Sequence, residues 1–418
     1  MRKSVLLLAI MLAPMMLGQG GFLPDGPITL QARPSAVPPS LFGMIPIKLN
    51  WGASWPPFSF YGAMVWVYWG TIEPQPGAVD FTRVDVGVAA ANKNHTAVIL
   101  VLGGTPAWAL CNPQGAAKDN LAMASRAPCD LNAWRDYVRS VVRHYKNSGI
   151  EGYEPWNEPN NYPADASYIA PLLEMNRIAY EVIKKEQPSA LVLTSGINAT
   201  ETSWDYLENY ARAGGLKYAD ILAEHFYVPP APPEAMLRKI RKVQQIVQRY
   251  RPGMPIWNTE TGWRIPNHDR IVDDASAEPW AGKYITDKES VAYVGRSYLL
   301  TWAAGVDRLY WYSWGHPSMG LNEYDMKTPK PAAHAFEAIQ KWMIGQRVTS
   351  CERSAQKVWT CKLEQGSDRT LIAWSEDGDV QFAVPAKFNV AEELAGPRES
   401  IPGRYFRLGI VPVRFSEK

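Results

Sequence analysis

Eight short apolar runs punctuate residues 42–312, and between them lie stretches whose apolar residues recur at three- and four-residue spacing. The runs are Phe42–Leu49, Ala63–Tyr68, Ala97–Leu102, Gly152–Trp156, Ala190–Thr194, Ile221–Phe226, Pro255–Thr259 and Arg308–Tyr312. Helical periodicity marks Asn132–Lys146, Tyr168–Lys185, Pro233–Tyr250, Glu289–Ala304 and Ala332–Met343. Strands that alternate with amphipathic helices end up parallel, because each helix carries the chain back across the sheet. Eight such units over about 300 residues predict an α/β fold, a (β/α)8 or TIM barrel over 41–345, with functional side chains at the C-terminal strand ends.

Beyond the barrel the pattern changes. Residues 346–418 lose helical periodicity and show short alternating runs, Lys357–Leu363, Thr370–Ser375, Val380–Val384 and Tyr405–Phe415. They predict a small antiparallel, sandwich-like β domain, too small to be more than marginal without packing on the barrel. At the other end, Arg2 and Lys3 precede an apolar run to Leu17 that is too short to span a bilayer, which reads as an export signal cleaved near Gly20. Residues 21–40, rich in Pro and Gly, read as a linker or strap. The chain is expected in the periplasm or outside the cell. Its four cysteines fall into two local pairs, Cys111 with Cys129 and Cys351 with Cys361, and an oxidising compartment predicts a disulfide for each.

Charge narrows the function. Forty-three Lys+Arg against 41 Asp+Glu leave +2, with no basic block to follow a phosphate backbone, so nucleic acid is not an expected partner. No His-Glu-x-x-His, Cys-x-x-Cys, Gly-x-Ser-x-Gly or phosphate-cradling glycine loop occurs, so no metal or other cofactor is expected. Nor is a membrane partner. Seventeen Trp and 20 Tyr, many at predicted strand ends, suit stacking on sugar rings, although most tryptophans in any protein are core.

Two glutamates stand at strand tips. Glu158 follows Trp156-Asn157 at the end of the fourth run, and Glu260 follows Trp257-Asn258-Thr259 at the end of the seventh. Three strands round an eight-stranded ring place the two Cα atoms roughly 14 Å apart and their carboxyl groups roughly 6 Å apart. Hydrolysis of a sugar acetal needs such a pair, one carboxyl as proton donor and one as nucleophile or base. Glu73, before Pro74 in a turn, and Glu154, within the fourth strand, read instead as salt-bridged or solvated carboxylates.

Trp156-Asn157-Glu158-Pro159 and Thr259-Glu260-Thr261-Gly262-Trp263 resemble the acid/base and nucleophile signatures of the clan A retaining glycoside hydrolases. Trp69-Gly70-Thr71-Ile72-Glu73-Pro74 with Gly77 and Asp85, Gly104-Thr105-Pro106-Ala107-Trp108, and Ala292-Tyr293 to Gly305-Val306-Asp307-Arg308-Leu309-Tyr310-Trp311-Tyr312 extend the resemblance over roughly 41–345. They are most similar to the family 39-like branch of β-xylosidases and endoglycosidases.

The resemblance implies Glu158 as acid/base and Glu260 as nucleophile, with double displacement at the O-glycosidic bond of an oligo- or polysaccharide. It implies that Asn157 bonds the sugar 2-hydroxyl and that His225 and Tyr227 orient the nucleophile and touch the sugar. Trp311, with Trp314 in reserve, is implied as the platform under the ring, and Trp108 as a further contact. One departure is visible: relatives carry an arginine on the second strand, and Met64–Tyr68 has none. A catalytically silent carbohydrate-binding barrel and a transglycosylase are the competing readings.

Overall fold

The structure is a computed structural model that describes residues 26–111, 127–160, 169–198, 204–271 and 282–417. The export signal and its cleavage point lie outside the described residues. Eight parallel strands form the barrel: β1 (Phe42–Pro46), β2 (Gly62–Trp66), β3 (Ala97–Val101), β4 (Ile150–Glu154), β5 in two pieces (Leu191–Val192 and Ile197–Asn198), β6 (Leu222–His225), β7 (Ile256–Thr261) and β8 (Arg308–Trp314). Pairing runs β1 to β4 in order and β8 to β6 in order, with β8 joining β1. The broken β5 closes the ring, its first piece pairing with β4 and its second with β6. The isolated pairings Leu193 with Ile221 and Asn157 with Gly196 complete the seam.

Between the strands run α1 (Thr82–Lys93), α2 (Leu131–Tyr145), α3 (Ile169–Glu186), α4 (Trp204–Arg212), α5 (Met236–Tyr250), α6 (Asp287–Ala303) and α7 (Pro331–Met343). Asp130 caps α2, and Thr286 with Glu289 forms a reciprocal capping box on α6. Parallel strands covered on both faces carry apolar residues on both, and the barrel has two cores accordingly. Ile45, Met64, Ile99, Val101, Leu193, Ala223, Trp257 and Tyr310 fill the inside, while Phe42, Leu100, Tyr153, Leu309 and Trp311 pack outward against the helices. Gly43 is required by this filling, since a Cβ there would lie 2.4 Å from the Tyr310 ring.

The C-terminal domain comprises β9 (Arg347–Arg353), β10 (Val358–Gln365), β11 (Asp368–Ser375), β12 (Val380–Ala383), β13 (Val390–Glu393), β14 (Arg398–Ser400), β15 (Tyr405–Leu408) and β16 (Val413–Ser416). Its main sheet has the order β9-β10-β11-β16-β13-β14, and β12 with β15 makes a separate ribbon. Leu371, Val384, Phe388, Leu408 and Phe415 are buried between them. Cys351 and Cys361 are partners in the β9–β10 register and are disulfide-bonded, as are Cys111 and Cys129, with Cα atoms 4.0 and 4.7 Å apart.

The stretch read as a linker or strap lies, in its described part, along the β domain. Ile28–Leu30 is a strand on the free edge of β9, pairing with Arg353–Cys351. The backbone of a sheet edge is an unsatisfied ladder, and these residues cover it. The domain then docks on α6: Trp359 and Trp374, stacked 5.6 Å apart, enter the outer core, and Gly295 leaves room for Leu394. Beneath them Arg296 makes a two-point ion pair with Glu234, which also accepts the Trp374 indole N–H at 2.9 Å.

Candidate active site

Glu158 lies four residues past the last residue of β4, and the chain turns sharply to place it. Its φ of 43° is in the left-handed region, where a residue with a Cβ is strained, and its backbone N–H is held by the Gly196 carbonyl at 2.8 Å. Glu260 is the fifth residue of β7 and opens onto the same barrel mouth. One carboxylate oxygen of each, together with a ring nitrogen of His225, falls within a 4.8 Å cluster.

His225, the last residue of β6, is fully buried between the pair. Its Nδ1 meets Glu158 Oε1 at 2.7 Å and Glu260 Oε2 at 3.7 Å. Burial by itself would depress its pKa, but Glu260, Glu158 and Glu154 together push it up to about 10, so the ring is an imidazolium at neutral pH. Tyr227, two residues on, donates its hydroxyl to Glu260 Oε1 at 2.5 Å. Burial first, then the charge of Glu260, holds that phenol well above its ordinary pKa, so it remains a donor. The nucleophile candidate therefore has a side-chain donor, Tyr227, and a cationic neighbour, His225, in a chain without the second-strand arginine. Glu158 and Glu260 keep a little exposure, 16% and 11% of their side chains, so a substrate can reach both.

The same three residues are the one group among those described with metal-ligand spacing. In this structure the three side chains already engage one another and Tyr227: His225 Nδ1 meets Glu158 Oε1 at 2.7 Å, and Glu260 accepts from the Tyr227 hydroxyl.

Asn157 is half-buried beside Glu158, and its backbone pairs with Gly196. Trp108 is half-buried, its ring edge-on to Trp69 and its Nε1–H donated to the Glu73 carbonyl at 3.0 Å. Glu73 itself holds its turn by accepting from Trp69 Nε1 and from the Gly77 N–H.

The platform expectation is corrected. Trp311 is fully buried and stacks on Trp263 in the layer between strands and helices, 5.6 Å between ring centres. Trp314 is fully buried as well, its Nε1–H on the Ser54 carbonyl. In β8 it is Tyr310 and Tyr312 that face inward, and Tyr312 packs against Tyr227 and Met319. Half-exposed Trp66, at the end of β2 where the arginine is missing, lies edge-on to Tyr312. Tyr310-Trp311-Tyr312 are all aromatic, so alternation offered no polar contrast to set their phase.

Glu154 also departs from expectation. It is neither solvated nor ion-paired but wholly buried on the inward face of β4, with no hydrogen-bond partner for either oxygen. Its environment is decided by strands far away in sequence, so nothing local signalled it. On the seventh-strand loop, His268 bonds Glu323 and Asp287, and Asp269 accepts from the Tyr324 and Asp325 N–H groups, so both brace the rim. Asp273, Asp274 and Trp280 lie outside the described residues.

No family model matches the chain. A β-xylosidase of Geobacillus stearothermophilus is 24% identical over 305 residues, covering 63% of this chain and 57% of that protein. The chain thus spans little more than half the length of that relative. Among solved structures, a family 39 β-xylosidase from Caulobacter crescentus superposes with a TM-score of 0.57 at 15% identity, over 93% of this chain and 99% of the other. A family 30 subfamily 8 xylanase from Clostridium acetobutylicum gives 0.56 at 12% identity, over 94% and 98%. At such identities the superpositions speak to fold, a barrel with an appended β domain. In fold and in its ordered strand-end motifs, the chain resembles the clan A glycoside hydrolases, their family 39-like branch included.

Proposed function

We propose that this protein is a retaining glycoside hydrolase acting on O-glycosidic bonds of oligo- or polysaccharides. The observation that carries the reading is the pair Glu158 and Glu260, from opposite sides of the barrel mouth, with oxygens inside one 4.8 Å cluster around His225. A spacing this short favours direct attack by one carboxylate over activation of a water held between the two. The xylosidase relative and the xylan-active structural neighbours supply a first substrate class to try, xylosides.

The chemistry follows from the contacts. Glu158, its Oε1 accepting from His225, gives a proton from its other oxygen to the glycosidic oxygen. Glu260 attacks the anomeric carbon, and the leaving sugar departs as an alcohol. As the Glu260 ester forms, negative charge leaves its carboxylate, and the Tyr227 hydroxyl and the imidazolium are placed to stabilise the charged form on either side of that step. Glu158, now a carboxylate, takes a proton from water, whose oxygen attacks the anomeric carbon and releases Glu260. Two inversions leave the configuration unchanged. Whether water or a second sugar accepts the glycosyl group separates hydrolase from transglycosylase.

We also infer export, on the two disulfides together with the signal-like first 20 residues. Among the described residues, no helix is long and apolar enough to cross a membrane.

The test is a screen of aryl glycosides and polysaccharides, followed by proton NMR of the first sugar released. Retained configuration, with activity lost in both Glu158→Gln and Glu260→Gln, supports the proposal. An inverted first product makes Glu260 a base, and sugar binding without turnover makes the protein a silent carbohydrate-binding barrel.

A further inference from the structure

The chemistry above uses Glu158, Glu260, His225 and Tyr227, and one more titratable side chain, Glu154, lies beside them under the barrel mouth. It extends from the inward face of β4 and is completely buried, both carboxyl oxygens without a hydrogen-bond partner. Leaving a buried carboxyl unpartnered costs several kcal/mol. An apolar side chain, like Ile99, Val101, Leu193 and Ala223 around it inside the barrel, would avoid that cost.

The second observation comes from His225. Nδ1 is occupied by Glu158, but Nε2 is buried and also lacks a partner. Both orphans face Gly196: a Cβ built there would lie 2.5 Å from Glu154 Oε1 and 2.6 Å from His225 Nε2. Gly196 is not in the left-handed region, so backbone conformation does not call for glycine at this position. The space between carboxyl and imidazole does, since any side chain would part them. Both atoms lie within 2.6 Å of that one point, a gap that a single bridging water can span.

We propose that Glu154 is a positioning residue of the acid/base machinery, engaging His225 Nε2 so that Nδ1–H stays aimed at Glu158. The role rests on the glycosidase reading. It extends the line of contacts from β4 through β6 to the strained turn at Glu158. The groups that act on Glu154 are His225 and Glu224 from β6, Thr259 and Glu260 from β7, and the Gly196 backbone from β5. Burial outweighs the attraction of His225 and holds the Glu154 carboxyl up at about 8, so near neutral pH it is largely a protonated acid. A neutral carboxyl can accept from an imidazolium without adding a third full negative charge to the site.

The variants are Glu154→Leu, which fits an apolar barrel, and Glu154→Gln, which keeps an accepting oxygen. Activity is read on aryl glycosides of graded leaving-group acidity. The expected result for Glu154→Leu is a folded, more heat-resistant protein whose kcat falls by about 100-fold on poor leaving groups, the size of a general-acid contribution, with little change on dinitrophenyl glycosides. Glu154→Gln should restore most of that loss. A uniform loss across leaving groups, or none, overturns the proposal. Nitrogen-15 NMR of the His225 ring supplies a readout independent of turnover: its titration should move to lower pH in Glu154→Leu, and an unchanged titration and tautomer also overturns it. A wild type that cleaves no glycoside would sink the function above, while the NMR result would still decide whether Glu154 holds His225.

Discussion

Two buried charged clusters in this molecule have opposite character. At the junction of barrel and β domain, Arg296, Glu234 and Trp374 form a closed set in which one cation meets one anion at two points and the indole takes up the remaining capacity. At the barrel mouth, three carboxylates surround one imidazole, both Glu154 oxygens and His225 Nε2 are unpartnered, and Glu158 sits on strained backbone. The first arrangement is what a fold needs to bury charge. The second is held in place by the rest of the fold and leaves capacity unused, which is what chemistry on a visiting substrate needs.

Mutating each cluster should separate activity from stability. The largest effect is expected from Glu260→Ala. It should cut turnover by at least about 10⁴-fold with the melting temperature unchanged or raised, and azide should restore product of inverted configuration. A fall in melting temperature matching the loss of activity would erase the contrast. Arg296→Met should do the reverse. It leaves Glu234 buried and unpaired, so stability should drop by about 3–5 kcal/mol while kcat per folded molecule at low temperature stays the same. Denaturant melts paired with active-site titration would show it.

Proton linkage sharpens the same contrast. His225 has a folded-state pKa raised to about 10 from 6.5, so its contribution is complete below pH 6.5 and is lost as pH rises through 10. Glu154 is raised to about 8 from 4.5, so folding favours its protonated form, and stability from this group declines as pH climbs from 4.5 through 8. Both act in one direction. Melting temperature should fall from pH 6 to 10, and Glu154→Leu should flatten the part below pH 8. A curve that rises over this range would refute the assignment. The smallest effect belongs to Arg177 on the face of α3, paired with Glu174 and Glu181 but about one-third exposed. Arg177→Ala should cost less than about 1 kcal/mol in a urea melt.

The sequence by itself determined the elements and the two glutamates. Strand and helix periods are local, so eight parallel strands, the two cysteine pairs and the strand-end positions of Glu158 and Glu260 could be read from neighbouring residues. His225 and Tyr227 came from the family resemblance, and strand alternation accounts for both side chains pointing the same way. Tertiary structure alone decided what lies on which face once both faces are apolar. Trp311 went to the helix layer and Tyr312 to the mouth, a choice made by the stagger of β8 against β1 and β7. It likewise turned Ile28–Leu30 from a linker into the edge strand of a sheet whose other members begin more than 300 residues later. Glu154 is the sharpest case. A glutamate four residues before another looks like a solvated neighbour in sequence, and only the approach of Gly196 and His225 from β5 and β6 removes the water that would have made it ordinary.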